Sequence, residues 1–284
     1  MTSPTGTAYA KLNLALHVVG RRDDGYHLLD SLVVFAALGD RLTVTPADGL
    51  HLTVSGPFAS GVPIDDRNLV LRAAALMGVT DGVAIHLEKA LPHAAGIGGG
   101  SSDAATTLRL LSDHTATPLP DMAQVLTLGA DVPVCLRGRP TRMRGIGDDL
   151  TDVPPLPKLW VVLVNPGVPV PTGPVFKALA RADNPPLPET DWTANNPSSL
   201  IDWLGRTRND LEPPARALVP AIGTVIDRLN GAPGCALARM SGSGGTCFGL
   251  FTSADAASDA ARIIAAAEPI WWVAATDIVR EGSV

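Results

Sequence analysis

One segment of the chain has residue types that favour anion binding: Leu91 to Leu111, which reads LPHAAGIGGGSSDAATTLRLL. Four glycines lie between Gly96 and Gly100, two serines follow, and the residues after them have helical spacing. Glycine lets backbone amides approach a bulky anion, and the first amides of a helix add donors at its positive end. The segment therefore predicts a phosphate-binding nest, with a flexible glycine turn as the alternative.

This loop matches neither of two common nucleotide-binding patterns. A Walker A motif ends in GK[ST], but Gly100 is followed by Ser101. A dinucleotide fingerprint needs a glycine at position 101 and a parallel βαβ unit. Lys89 lies just before the loop and is one of only four lysines in the chain, so we consider it a candidate to face the same phosphate.

The elements that position this loop are predicted from periodicity and from cap residues. Strands are expected at residues 8–19, 50–54, 83–88, 159–164, 246–251 and 270–275. Helices are expected at residues 68–77, 121–128, 218–229 and 254–267, and after the glycine loop, where Ala104, Ala105, Leu108 and Leu111 share one face. Asp65 or Asp66 is the expected cap of the first helix, and Ser101 or Ser102 that of the helix after the loop. Residues 184–199 are rich in Pro, Asn, Thr and Ser and are expected to form a loop.

These elements indicate an α+β protein with two domains. The Pro-rich segment VPPLP at Val153–Pro157 precedes the apolar run LWVVLV, so we place the boundary there and expect domains of residues 1–155 and 156–284. No internal repeat is visible at the usual solenoid periods.

Composition narrows the classes of function. Apolar residues make up 46% and charged residues 18%, which is typical of a globular protein, and the net charge of −6 argues against a nucleic-acid binder. No apolar run reaches the roughly 20 residues of a membrane span. The N-terminus does not have the pattern of a signal peptide. The three cysteines, Cys135, Cys235 and Cys247, have no metal-site spacing and are typical of idle thiols in a reducing compartment. We expect a cytoplasmic protein with neither nucleic-acid nor membrane partners.

Several stretches together resemble a known family. Pro92 to Ala105, PHAAGIGGGSSDAA, resembles the phosphate loop of the GHMP kinases, a superfamily of small-molecule kinases. Further stretches resemble, in the same order, signatures of the member family that phosphorylates a cytidine diphosphate alcohol in non-mevalonate isoprenoid biosynthesis: AKLNLALHVVGRRDDGYH (10–27), LGADVPVCLRG (128–138), PGVPVPTGPVFKAL (166–179) and ARMSGSGGTCF (238–248). The resemblance runs from about Ala8 to Phe251. It implies a ribosomal-S5-like N-terminal domain and a ferredoxin-like C-terminal domain, with the site in the cleft between them.

The resemblance also implies which residues carry the chemistry. Asp131 corresponds to the catalytic aspartate of the family and Lys11 to its partner. A carboxylate that takes a proton from an alcohol and an ammonium that balances charge form a sensible pair for phosphoryl transfer. From the residues alone, the favoured interpretation is that Asp131 is a turn or cap residue before Pro133 and that Lys11 is an exposed strand lysine.

The cytidine end of the acceptor requires aromatic faces and hydrogen bonds to a base edge. The resemblance makes Tyr26 and Phe176 the two faces that stack on the cytosine, and His27 the residue that binds its edge. Phe176 as a plain core residue is the alternative. Asn13 shares a strand face with Lys11 and is implied in the acceptor site.

The ATP end is implied to involve one lysine, one asparagine and the phosphate loop: Asn68, Lys89, Pro92, Gly96, Gly98, Gly99, Gly100, Ser101 and Ser102. The second glycine segment, Ser241 to Gly245, either closes the site around the phosphates of the substrate or forms a tight turn. Asn209-Asp210 also matches a family pattern, without a physical role that follows from sequence. ATP is expected with Mg²⁺, whose ligands the sequence does not identify.

The expected activity is ATP-dependent phosphorylation of the 2-hydroxyl of this cytidine diphosphate alcohol, a small-molecule substrate, by a monomer or weak homodimer. One alternative is another GHMP kinase that acts on a sugar, on homoserine or on a mevalonate-type alcohol. The other is a non-catalytic nucleotide- or RNA-binding protein on the same fold. GRRDDGYH and Phe176 argue against the first alternative; the acidic composition and the matched contexts of Lys11 and Asp131 argue against the second.

Overall fold

Residues 3–280 are described by a computed structural model of the protein, and within them the chain forms ten strands and nine helices. The strands are β1 (Thr5–Arg21), β2 (His27–Pro46), β3 (Leu50–Ser55), β4 (Val83–Glu88), β5 (Thr141–Gly145), β6 (Asp149–Asp152), β7 (Trp160–Asn165), β8 (Leu237–Met240), β9 (Cys247–Phe251) and β10 (Trp272–Val279). The helices are α1 (Leu69–Leu76), α2 (Gly99–Thr115), α3 (Met122–Leu126), α4 (Val132–Arg137), α5 (Thr172–Lys177), α6 (Pro197–Gly205), α7 (Glu212–Leu218), α8 (Ala221–Asn230) and α9 (Ala254–Ala267). The α+β prediction is confirmed.

The first two strands, β1 and β2, form a long antiparallel hairpin. The predicted strand at residues 8–19 lies within β1, whereas the 20-residue strand β2 was not predicted. Residues 32–36 of β2 form a continuous apolar run buried on both faces, a pattern that does not by itself distinguish a strand from a buried helix. The RRDDGYH segment forms the hairpin turn, in which Gly25 adopts a positive φ of 92°.

One sheet passes through both halves of the chain, with the order β3-β4-β2-β10-β7-β9-β8, and β1 and β5 also pair with β2. Strand β10, near the end of the described residues, pairs with β2 through Ile278 and Ala36 and with β7 along its length. The last strand therefore ties the first part of the chain to the second. The predicted division at residue 155 stays a prediction.

The predicted helix caps were wrong for both helices near the glycine loop. Helix α1 begins after Asn68, whose side chain accepts a hydrogen bond from the Val70 amide, while Asp65 is engaged by Arg67. Helix α2 begins directly after Gly98, which lies in the left-handed region with a φ of 63°. Glycine enters that region at little cost, so the helix starts without a serine cap.

Most other predicted segments are confirmed, as β3, β4, β7, β9, α3, α8 and α9, and all four residues of the predicted face of α2 are buried. The strand predicted at 270–275 is displaced to β10, and α6 begins inside the predicted loop of residues 184–199. The short elements β5, β6, β8, α4, α5 and α7 were not predicted. Most of them are too short for a periodic pattern to emerge.

The core holds β1 in place from one side. Leu12 and Leu14 pack in a buried cluster that also contains Trp203 and Phe248 from the second half of the chain. Because side chains alternate along a strand, Lys11 and Asn13 lie on the opposite face from these leucines. The hydrophobic pattern of β1 thus fixes which face of the strand presents its polar side chains.

Candidate active site

A cleft of about 710 Å³ lies where β1, the glycine loop and the segment before α4 meet. It is lined by Lys11 and Asn13 of β1, by the start of α2, and by Asp131, Phe176 and Gly242–Gly244. The structure therefore brings the predicted chemical residues and the predicted phosphate nest into one cavity.

Lys11 and Asp131 form an ion pair inside this cleft, with 2.8 Å between the lysine Nζ and Asp131 Oδ2. The lysine side chain is 4% exposed and the aspartate side chain 33% exposed, so the carboxylate faces the cavity. Asp131 occupies the cap position of α4 without capping it, because its side chain makes no hydrogen bond to the helix amides. The carboxylate is thus available to chemistry rather than used by the helix.

The glycine loop and the first turn of α2 line the same cavity, through Gly96, Gly98, Gly99, Gly100 and Ser101. At Gly98 a Cβ would lie 3.0 Å from the Cβ of Lys11, so the loop packs directly on the lysine. The backbone of the nest and the ion pair are therefore neighbours.

Ser102 does not reach the cleft. Its hydroxyl donates to the carbonyl of Tyr9 at 2.7 Å and lies 3.3 Å from the sulfur of Cys135, and the residue is buried. Because it lies in the first turn of α2 on the face that packs against β1, its side chain is directed into the protein. Its assignment to ATP on sequence grounds is corrected to a structural contact.

The second glycine segment forms the connection between β8 and β9 and also lines the cleft. The Ser241 hydroxyl donates a hydrogen bond to the Gly96 carbonyl at 3.0 Å and accepts one from the backbone N–H of Asn13 at 3.1 Å. A Cβ on Gly96 would lie 2.5 Å from the carbonyl oxygen of Gly244, so the two glycine segments are in backbone contact. The segment is a tight turn that also lines the cleft, and its closure around the phosphates of the substrate stays a prediction.

Asn209 and Asp210 have roles that sequence did not reveal. The side-chain amide of Asn209 donates to the carbonyls of Met240 and Gly242, each at 2.8 Å. Asp210 accepts a hydrogen bond from the Val18 amide at 2.7 Å. Together they hold the second glycine segment and the end of β1 in register.

Asn13 is buried in the floor of the cleft. The side-chain Nδ2 of Asn13 donates to the Ser31 hydroxyl at 2.8 Å, but the side-chain Oδ1 has no hydrogen-bond partner among the described residues. A buried acceptor without a donor is costly unless a ligand supplies one. The geometry suits a hydroxyl donor on a molecule bound in the cleft.

Lys89 lines the cleft, but its ammonium is occupied. It contacts the carboxylates of Asp40 and Asp103, and all three residues are buried. The expectation that Lys89 faces a phosphate directly is corrected: a lysine held by two carboxylates underlies the loop instead of projecting from it.

Asn68 and Pro92 also line the cleft, on the side of the glycine loop away from Asp131. Both polar atoms of the Asn68 side chain are used within the protein, since Nδ2 donates to the Pro63 carbonyl and Oδ1 accepts from Val70. Asn68 therefore shapes this end of the cleft as the cap of α1.

A second cavity, of about 930 Å³, adjoins the cleft and shares Phe176 with it. Tyr26 and His27 line it, and the Tyr26 side chain is 64% exposed. The rings of His27 and Phe176 stack with centroids 4.9 Å apart, so His27 covers one face of Phe176. Burial, together with the charge of Arg21, lowers the pKa of His27, which keeps the imidazole neutral at pH 7. A neutral imidazole both donates and accepts hydrogen bonds.

Within residues 3–280 no three His, Cys, Asp or Glu side chains converge in a way that holds a metal ion. This donor set does not fit a protein-built metal cage.

Sequence reasoning missed Asp40, Asp103 and Ser31. Asp40 lies in an apolar strand, and Asp103 shares the buried face of α2 with Ala104. A carboxylate in an apolar stretch is a signal, because buried charges require partners. Its partner is not readable, since the Asp40–Lys89 contact spans 49 residues of sequence.

Two family profiles match the chain. "GHMP kinases N terminal domain" matches residues 68–148, and "GHMP kinases C terminal" matches residues 188–269. The first contains the glycine loop and Asp131, and the second contains Asn209 and the second glycine segment.

Relatives of known name are similar over nearly the whole chain. A 4-diphosphocytidyl-2-C-methyl-D-erythritol kinase from Jannaschia sp. (strain CCS1) is 58% identical over 97% of this chain and 97% of its own length. The chain belongs to the family of these kinases. A crystal structure of a 4-(cytidine 5'-diphospho)-2C-methyl-D-erythritol kinase is 38% identical, with a TM-score of 0.77, and covers 97% of this chain and 99% of that one.

A homoserine kinase from Cytophaga hutchinsonii is only 18% identical but has a TM-score of 0.70, over 99% of this chain and 96% of that one, which shows a shared fold. The GHMP kinase fold implied by the sequence motifs is thus confirmed, as is membership of an ATP-dependent kinase family. None of the helices in residues 3–280 has the length and apolar character needed to cross a membrane.

Proposed function

We propose that this chain transfers the γ-phosphoryl group of ATP to the 2-hydroxyl of 4-diphosphocytidyl-2-C-methyl-D-erythritol. The observation that carries the proposal is the Lys11–Asp131 pair, which lies in the same cleft as the glycine nest and contacts it through Gly98. A base, a balancing cation and an anion cradle in one cavity are the parts that alcohol phosphorylation requires.

Asp131 is the general base of the proposed transfer. The 2-hydroxyl oxygen attacks the γ-phosphorus, the bond from phosphorus to the bridging oxygen breaks, and ADP leaves with that electron pair. The hydroxyl proton passes to the Asp131 carboxylate, which later releases it to solvent. Lys11, whose Nζ lies 2.8 Å from Asp131, holds the carboxylate in place and offsets the negative charge of the phosphoryl group.

The phosphates of ATP occupy the nest formed by Gly96, Gly98–Gly100 and Ser101. The free backbone amides at the start of α2 form the positive end of this 17-residue helix. The glycines leave room for the phosphates to approach these amides. Mg²⁺ would be held mainly by the phosphate oxygens of ATP and by water, and it would offset the negative charge of the phosphates.

The acceptor extends from the cleft into the second cavity. Asn13 Oδ1, which has no partner in the protein, accepts a hydrogen bond from the acceptor alcohol. Tyr26 and Phe176 supply aromatic surface for the cytosine, and neutral His27 binds its edge. Since His27 covers one face of Phe176, the base stacks on the exposed Tyr26 ring or on the remaining face of Phe176.

Three free cysteines favour a reducing compartment, and we place the enzyme in the cytoplasm. We propose that the active form is a monomer or a weak homodimer that acts on small molecules alone. Sedimentation across a range of concentrations measures this state.

The test is an ADP-release assay with ATP and Mg²⁺ on a panel of alcohols: 4-diphosphocytidyl-2-C-methyl-D-erythritol, galactose, homoserine and mevalonate. We expect turnover with the cytidine substrate alone, one ADP per phosphorylated product, and loss of turnover when EDTA removes Mg²⁺. Turnover with galactose, homoserine or mevalonate while the cytidine substrate stays inert contradicts the proposal.

A further inference from the structure

A sealed charge cluster lies beneath the glycine nest and has no part in the transfer step. Lys89 at the end of β4 contacts Asp40 of β2, and its Nζ lies 2.8 Å from Asp103 Oδ2 of α2. The side chains are 5%, 0% and 5% exposed, respectively. One ammonium thus serves two carboxylates at an almost fully buried site.

The two carboxylates are supported unequally. Asp40 Oδ1 accepts hydrogen bonds from the amides of Ala90 and Leu91, at 2.7 and 2.8 Å, and its other oxygen contacts Lys89. Asp103 has Lys89 on one oxygen, and its buried Oδ1 has no partner. Hydrogen bonds from backbone amides stabilise an ionised carboxylate, so the negative charge is held at Asp40.

The cluster lies directly under the first residue of α2. A Cβ on Gly99 would lie 3.5 Å from Lys89 Nζ and 3.7 Å from Asp40 Oδ2. Whatever charge the cluster carries therefore acts on an anion bound in the nest. At this short range and low dielectric, one added negative charge opposes phosphate binding strongly.

The charges that act on Asp103 come from Lys89 and Asp40. The neighbouring elements direct their charged groups elsewhere: Arg72 of α1 donates to the Thr127 carbonyl, and Arg109 of α2 donates to the Cys135 and Leu136 carbonyls. Lys11 and Asp131 neutralise each other beside Gly98.

We infer that Asp103 carries a proton when ATP binds, so that the Asp40–Lys89–Asp103 cluster is neutral beneath the phosphates, and that loss of this proton weakens ATP binding. The inference rests on the proposed function, because it takes the nest to be the ATP-phosphate site. Asp103 acts through the cluster and the loop above it, and is a positioning residue.

The direction of titration agrees with this geometry. Burial raises the pKa of Asp103, the charge of Lys89 opposes that rise and the Asp40 carboxylate adds to it, and the result is a pKa of about 7. Burial acts to lower the pKa of Lys89, but the Asp103 and Asp40 carboxylates outweigh it and raise that pKa, which keeps the lysine charged. Proton loss therefore falls on Asp103 and gives the cluster a net negative charge.

Calorimetric titration of the full-length protein with Mg²⁺ and ATP, without acceptor, tests the inference between pH 6 and 9. Asp103→Asn fixes the neutral form in nearly the same shape, and Asp113→Asn removes an exposed carboxylate from the same helix as a matched control. Buffers of different ionisation enthalpy report the protons taken up on binding.

From pH 6 to pH 9, we expect the Kd of the wild type to rise relative to that of Asp103→Asn by a factor on the order of ten. Near pH 7.5 the wild type and Asp113→Asn take up part of a proton on binding, and Asp103→Asn takes up less. Because ATP itself titrates equally in all three proteins, the difference belongs to Asp103.

A stability measurement gives a readout that does not depend on ATP. The folded-state pKa of Asp103 is raised, so its stabilising contribution is complete below the unfolded-state value and declines as pH rises through about 7. The free energy of unfolding of the wild type should fall in this interval relative to Asp103→Asn. If that variant does not fold, the wild type decides the matter by itself: net proton uptake beyond that of Mg²⁺ and ATP titrated without protein supports the inference, and no such uptake between pH 6 and 9 overturns it.

The two failures are distinguishable. Equal pH dependence and equal proton uptake in the wild type and Asp103→Asn overturn the inference and leave the proposed function intact. A wild type that binds no ATP at any pH overturns the proposed function itself.

Discussion

Two lysine–carboxylate clusters flank the start of α2, and they use the same chemical groups differently. Lys11 pairs with one carboxylate, Asp131, whose side chain is 33% exposed to the cleft. Lys89 pairs with two carboxylates, Asp40 and Asp103, and the cluster is sealed from water. The clusters lie against neighbouring glycines, Gly98 and Gly99.

The difference shows that two properties of a lysine–carboxylate cluster, its exposure to the cleft and its number of carboxylates, decide whether it takes part in the reaction or stabilises the fold. An ion pair that opens on a cavity can exchange a proton with a substrate and then with solvent. A buried cluster stabilises the fold only while its charges are matched, because an unmatched buried charge is costly. The sequence made Lys11 the partner of the catalytic aspartate and Lys89 a phosphate contact, whereas the structure places Lys89 in a buried cluster with two carboxylates.

The largest expected effect is on turnover at the open cluster. Asp131→Asn removes the proton acceptor and keeps the shape, so we expect kcat to fall by about 10²- to 10⁴-fold with little change in either KM. The free energy of unfolding should fall by about 1–3 kcal/mol, because the buried Lys11 ammonium loses its carboxylate. Steady-state kinetics and urea unfolding measure both, and a near wild-type kcat removes Asp131 from the mechanism.

Substitutions in the buried Asp40–Lys89–Asp103 cluster should lower the free energy of unfolding. Asp40→Ala leaves the amides of Ala90 and Leu91 without an acceptor and Lys89 with a single carboxylate. We expect a loss of about 2–5 kcal/mol in the free energy of unfolding. The exposed Asp48, in the connection between β2 and β3, is the control, and Asp48→Ala should be near neutral. Equal, small losses in both variants contradict the buried role of Asp40.

A substitution at the acceptor end of the site should change the KM for the cytidine substrate and not the KM for ATP. Tyr26→Ala removes an exposed ring from the second cavity, and base stacking contributes roughly 1–3 kcal/mol. We expect the KM for the cytidine substrate to rise about tenfold with the KM for ATP nearly unchanged, and Tyr26→Phe to retain the wild-type value. Equal changes in the two KM values exclude Tyr26 from the cytidine site.

The smallest effect distinguishes two adjacent serines. Ser102→Ala loses a hydrogen bond to the Tyr9 carbonyl and should lower the free energy of unfolding by about 1 kcal/mol without changing the KM for ATP. Ser101→Ala, in the cleft, should raise the KM for ATP and leave stability unchanged. A rise in the KM for ATP with Ser102→Ala restores the original assignment of Ser102 to ATP.

Much of this arrangement follows from local sequence. The apolar alternation of β1 predicts a strand, and the small residues of α2 predict a helix packed on one face, as the structure shows. The glycine spacing indicates a nest because backbone conformation at glycine is a local property. Asp131 differs, since its neighbours indicate only a turn and its task comes from the family resemblance.

Long-range pairings were not predictable. Lys89 meets Asp40 only because β4 pairs with β2 in one particular register, and a shift of one residue would direct these side chains to opposite faces. Asn209 reaches Gly242 across 33 residues of sequence. His27 covers Phe176 because the β1–β2 turn folds towards α5. These contacts depend on sheet order, which periodicity does not specify.

A side-by-side comparison of Lys11→Met and Lys89→Met tests the central claim most directly, with kcat and the free energy of unfolding measured on the same preparations at pH 7.5. Lys11→Met should lose at least about 10²-fold in kcat and less than about 1 kcal/mol in stability. Lys89→Met should lose about 3–5 kcal/mol in stability, because it leaves two buried carboxylates without a cation. If Lys11→Met keeps the wild-type kcat, or if Lys89→Met is as stable as the wild type, the separation of chemistry from support is contradicted.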